Sequence, residues 1–151
     1  MTKLIKLAIV LVILALVGIG IVWMKQRLFH ELGDKFRKSY DAYSHNYVGN
    51  SDCEVLDVAC SRGRLEIMQI VADQARAYKA TPEAATSFNG KLADAFIELN
   101  NVEQAFYRKL ANSGGRGLRD AKELEPLLAA TGKLRALFET ERDELIKRSI
   151  Q

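Results

Sequence analysis

Three features of this 151-residue chain predict an all-α protein with one membrane-spanning helix. An uncharged run, LAIVLVILALVGIGIVWM, occupies Leu7 to Met24. Beyond it, apolar residues recur at three- and four-residue steps, the period of a helix face. The chain has only two prolines, Pro82 and Pro126, and no alternating β-branched runs, while Ala, Leu, Glu, Lys and Arg dominate. The predicted architecture is a transmembrane helix continuing into an antiparallel, up-down-up-down four-helix bundle. A three-helix bundle plus an extra helix is the second arrangement the pattern allows. Residues 1–3 then form a short leader, 4–24 a signal anchor and 25–151 one soluble helical domain.

The anchor is justified by length. Its 18 uncharged residues at about 1.5 Å each span roughly 27 Å, close to the hydrocarbon thickness of a bilayer. Lys6 can snorkel to one headgroup layer. Trp23, Lys25 and Arg27 mark the other interface. The run exceeds the apolar core of a cleaved signal peptide, about 7–15 residues, so an uncleaved anchor is expected. A count of Lys and Arg after Met24 favours a cytoplasmic body. The tiny basic leader and the cysteine pair favour an exported one, and the exported body is the expectation.

The first helix need not stop at the membrane. Leu28, Leu32, Phe36, Tyr40, Tyr43 and Tyr47 form one stripe, and Gly49 supplies a stop, giving a helix of about 45 residues. Ser51 and Glu54 form a capping box that can open a second helix, with a later start at Ser61 as the alternative. Its expected stripe is Leu56, Cys60, Gly63, Ile67, Ile70 or Val71, and Tyr78. Thr81-Pro82-Glu83 reads as the opening of a third helix. That helix packs through Phe88, Leu92, Phe96, Leu99 and Phe106 and ends at Asn112-Ser113-Gly114-Gly115. A fourth runs from about Leu118 to Arg148 through Leu124, Leu127 or Leu128, Leu134, Leu137 or Phe138, Leu145 and Ile146, with Pro126 kinking it or marking its start.

Charge and chemistry narrow the function classes. The chain carries 22 Lys+Arg against 19 Asp+Glu, and without Lys3 and Lys6 the body is near neutral, which argues against nucleic acid. His30 and Asp34 share a helix face like part of a zinc helix, but His45, the only other histidine, is four turns away, so no metal is expected. Ser113 to Arg119 is glycine-rich and basic but lacks a preceding strand and a Gly-Lys-Ser/Thr, so a connector is expected. Cys53 and Cys60 are a candidate disulfide. In continuous helix their α-carbons would lie about 10.5 Å apart, so a bond requires the segment to bend. No Ser–His–Asp or Cys–His arrangement is present, and neither enzyme activity nor a cofactor is expected.

The layout, an anchor running into a helical bundle, resembles the LemA family. That family's Asp-Leu-Ile-Pro-Asn-Leu-Val segment has no counterpart, the nearest stretch being Leu65-Glu66-Ile67-Met68-Gln69-Ile70-Val71. Residues 47–63, YVGNSDCEVLDVACSRG, are similar to the cysteine-paired segment of T-even phage antiholins, with different cysteine spacing. The second resemblance implies an exported helical protein that binds a holin and delays lysis.

The expected protein is a single-pass inner-membrane protein whose body binds another envelope protein, as assembly factor, accessory subunit or regulator. Its partners are the bilayer and that protein, and an oligomer is left open. An antiholin or spanin-like lysis regulator is the alternative, and a membrane-tethered enzyme the third. Loops carry recognition more often than core faces. Tyr47, Asn50, Arg116 and Arg119, at the expected membrane-distal tip, are therefore the candidate partner-binding residues.

Overall fold

The computed structural model describes residues 2–47, 58–112 and 121–150, which are almost wholly helical. Among them four helices appear: α1, Thr2–Tyr47; α2, Val58–Lys79; α3, Phe88–Asn112; and α4, Glu125–Ile150. Two short 3-10 turns, Pro82–Ala85 and Ala121–Leu124, precede α3 and α4. The all-α class and the long first helix are as the sequence predicts.

Helix α1 runs unbroken for 46 residues. The side chains from Leu11 to Leu28 are exposed, and this is a helix long and apolar enough to cross a membrane. From Phe36 onward the same helix is half of a core. Phe36, Tyr40 and Tyr43 are buried. Gly18 and Gly20 lie within α1 with open space around them, so neither ends the helix.

Side-chain pairs fix the directions of the helices. Tyr78 of α2 lies against Gly33 of α1, while Arg64 stacks over Tyr43, so α1 and α2 are antiparallel. Arg64 reaches Glu103 and Lys79 reaches Asp94, so α2 and α3 are antiparallel. Lys133 pairs with Glu98, and Lys109 with Glu123, which sets α4 against α3. Both helix ends that flank residues 48–57 and both that flank 113–120 thus lie at one end of the body.

The core is Met68, Val71, Ala72, Ala75 and Tyr78 from α2, Leu92, Ala93, Phe96 and Leu99 from α3, and the three aromatic rings of α1. Phe96 sits between Tyr40 and Tyr43, with ring centroids 5.5 and 5.3 Å away, both edge-on. Burying each such side chain contributes roughly 1.5–3 kcal/mol. The contribution of α4 is shallower. Ala130 is buried, whereas Leu127, Leu134, Leu137 and Phe138 are half-buried. It meets α1 where Phe138 stacks on Tyr40 at 5.9 Å.

Three expectations shift. The buried face of α2 centres on Met68, Ala72 and Ala75, while Gly63 and Ile70 are exposed. Ala72 and Ala75 are buried on that face together with the bulky Met68, Val71 and Tyr78. Thr81-Pro82-Glu83 opens a 3-10 turn instead of α3. Helix α3 starts at Phe88, because the Ser87 hydroxyl accepts the Gly90 amide at 3.0 Å and caps it. Leu145 and Ile146 of α4 are exposed, since they lie beyond the level where α3 begins. Pro126, the second residue of α4, marks the helix start.

Candidate functional site

The expected interface anchors lie along α1. Trp23 is exposed, and the Arg27 guanidinium sits 5.9 Å from its ring centroid while its Nε donates to Glu31 at 3.0 Å. An amphipathic ring and a cation together at the end of an apolar run suit a lipid headgroup layer. Lys25 is exposed. Lys6 belongs to the same helix, but its side chain lies outside the described residues, as do those of Tyr47, which ends α1, and Cys60, in the first turn of α2. Cys53, Asn50, Arg116 and Arg119 also lie outside the described residues.

Next to the anchor, the proximal corner joins α1, α2 and the 82–85 turn. The Tyr78 hydroxyl is 2.8 Å from Ser87 Oγ and donates to Glu83 at 3.4 Å. Burial pushes the Tyr78 hydroxyl up, and the Ser87 hydrogen bond opposes that shift. Gly33 and Gly90 make close approaches. A Cβ on Gly33 would stand 2.9 Å from the Tyr78 ring, and one on Gly90 would stand 1.7 Å from the Ala84 carbonyl oxygen. His30 lies on the surface here, with Nδ1 3.7 Å from Glu83 and Nε2 3.8 Å from Asp34. Among the described residues no group of three or more His, Cys, Asp or Glu side chains can hold a metal ion.

At the distal end stands a buried polar cluster. Arg64 of α2 donates to Glu103 Oε1 of α3 at 2.9 Å, and its guanidinium lies 6.0 Å from the Tyr43 ring centroid of α1. Glu103 is 3% exposed, far below what a solvated carboxylate requires. Phe106 and Tyr107 pack edge-on beside it at 5.2 Å and join a second small core with Leu65 and Leu124. Gln104 Nε2 donates to the Leu65 carbonyl at 3.2 Å. Glu103 Oε2, Arg64 Nε and the buried Asn100 Oδ1 have no hydrogen-bond partner within the described residues. Burial pushes the Glu103 carboxyl up from its ordinary range, and the Arg64 charge only partly offsets it. Burial and the nearby Glu103 carboxylate also push the Tyr43 hydroxyl far up.

This cluster ties three helices together. The sequence reading missed it. Neither residue belongs to a sequence motif, yet Glu103 follows Leu99 by four residues and Arg64 precedes Met68 by four. Each therefore lies on a buried stripe, with opposite signs on adjacent antiparallel helices. Family models, curated proteins and solved structures give no match to this chain.

Proposed function

We propose that this chain is a single-pass membrane protein of the cell envelope whose helical body acts by binding another protein, without catalysis. One observation carries the reading. Helix α1 is continuous from its exposed apolar half into the buried Phe36, Tyr40 and Tyr43, so one rigid element serves both as anchor and as core. A body held that way is oriented relative to the bilayer, which suits docking to a neighbour in the same membrane. The four helices form an up-down-up-down body in this reading, and it faces the exported side.

Recognition falls at the membrane-distal end. The helix ends that flank residues 48–57 and 113–120 lie at that end, where Arg64 and Glu103 join α2 to α3. Tyr47, Asn50, Arg116 and Arg119 are the proposed contacts.

Two measurements test this. Alkaline phosphatase fused after Gln151 is active if the body is exported; an inactive phosphatase fusion with a fluorescent GFP fusion reverses the orientation. Photo-crosslinking from positions 50 and 116 in native membranes captures a discrete protein. Arg116→Glu with Arg119→Glu reduces capture several-fold at an unchanged melting temperature. Undiminished capture moves the binding surface to a helix face.

A further inference from the structure

The last turns of α4 extend past the elements against which the helix packs. Phe138 marks the level: its ring stacks on Tyr40, and the Arg37 guanidinium lies 5.8 Å from its centroid. Phe88, the first residue of α3, meets Phe138 at this same level, 5.6 Å away. Helix α4 runs antiparallel to α3 and so opposite to α1. Its residues from Phe138 to Ile150 therefore descend about 18 Å, the distance α1 covers between Arg37 and Lys25. That brings the end of α4 to the level of Lys25 and Arg27. A headgroup layer of about 5–7 Å lies outside the hydrocarbon core on each side of a bilayer.

The composition of this overhang matches the level it reaches. Leu145 and Ile146 are 55% and 49% exposed. Leu145 continues the stripe of Leu134 and Phe138, but no part of α3 extends to meet it. Lys147 and Arg148 occupy the last turn. At this level Lys25 and Arg27 of α1 stand with Lys147 and Arg148 of α4, and Arg148 also pairs with Glu144 at 3.6 Å. Cations in a last turn also complement the helix dipole. That accounts for Lys147 and Arg148 alone, not for the exposed Leu145 and Ile146 or for the helix ending level with the anchor's cationic rim.

We propose that the C-terminal turns of α4 form a second membrane contact, in which Lys147 and Arg148, level with Leu28 and Arg27, engage the phosphates of anionic phospholipids. This rests on the reading of α1 as a membrane anchor. The contact pins the body at two points, so that it leans against the bilayer instead of standing on a single stem.

The full chain, reconstituted in vesicles of phosphatidylglycerol and phosphatidylcholine that carry a headgroup nitroxide, tests both ideas separately. Native Trp23 fluorescence reports the anchor. In a Trp23→Phe background, Ser149→Trp reports the end of α4 and Leu128→Trp its distal half. The expected result is that Ser149→Trp is quenched about as strongly as native Trp23 and Leu128→Trp hardly at all. Adding Lys147→Glu and Arg148→Glu should at least halve the quenching of Ser149→Trp. If Trp23 is quenched while Ser149→Trp matches Leu128→Trp, the second contact falls and the anchor stands. Quenching that ignores the charge reversal overturns the phosphate contact. An unquenched Trp23 overturns both.

Discussion

At the proximal end of the body, the elements meet through close glycine approaches and hydrogen bonds, with Gly33 against Tyr78, Gly90 against Ala84 and Ser87 between Tyr78 and the start of α3, beside a surface Lys79–Asp94 ion pair. At the distal end, α1, α2 and α3 are joined by a buried guanidinium and carboxylate with a tyrosine ring above them. The first solution depends on shape and tolerates almost no added volume. The second depends on charge and tolerates volume, but leaves the Glu103 carboxylate desolvated. The proximal corner therefore leaves little room for added side-chain volume. At the distal end the half-buried Arg64 guanidinium offsets part of the desolvation of Glu103.

The sharpest way to break the proximal corner is Gly90→Ala. Its new Cβ would lie 1.7 Å from a backbone carbonyl, so the 82–85 turn must move. The expected loss is about 4 kcal/mol or more, above the ~1–3 kcal/mol usual for overpacking. Melting of the detergent-solubilised full chain measures it, and a change of only a degree or two would mean that the turn yields freely.

At the distal end, Glu103→Ala strands Arg64 and should cost about 3 kcal/mol. Arg64→Met combined with Glu103→Leu should restore stability to within about 1 kcal/mol of the parent, because neither charge is then buried. A double variant as unstable as the single one would show that the pair itself stabilises the fold.

Acid separates the two ends as well. The Glu103 carboxyl is shifted up by burial, so the folded chain holds that proton more tightly than the unfolded chain does. The stability linked to this group is therefore greatest below the unfolded carboxylate range and declines as pH rises through the raised folded value. Glu103→Gln should flatten that part of the melting temperature against pH. An identical profile for parent and variant would place Glu103 in water.

The smallest expected effect is at the proximal cap. Ser87→Ala removes the acceptor for the Gly90 amide and should cost about 1 kcal/mol. No loss would mean that the glycine approaches alone hold the corner.

These two ends also differ in how far the sequence disclosed them. The stripe from Phe36 to Tyr43, the aromatic face of α3 and the unbroken passage from anchor to body were all readable from spacing, because large apolar residues carry that signal. The expected α2 face held at Ile67, Val71 and Tyr78 and failed at Gly63 and Ile70, while the buried Ala72 and Ala75 carried no signal because alanine looks neutral in a sequence. Ser87 was overshadowed by Thr81-Pro82, a stronger helix-start pattern that here opens only a short turn. Arg64 and Glu103 were hidden for a different reason. Each is ordinary on its own helix, and only the pairing of α2 with α3 makes them a buried pair.

The continuity of α1 has a mechanical consequence. If its apolar half spans a bilayer as proposed, a helix whose other half is clamped by aromatic packing behaves as a lever with its fulcrum at the interface. Membrane helices tilt to match the thickness of the surrounding bilayer. Swinging a stem about 35 Å tall through about 10° carries its far end sideways by about 6 Å, comparable to the spacing between neighbouring side chains in a protein contact. Bilayer thickness would then be transcribed into the position of the distal surface.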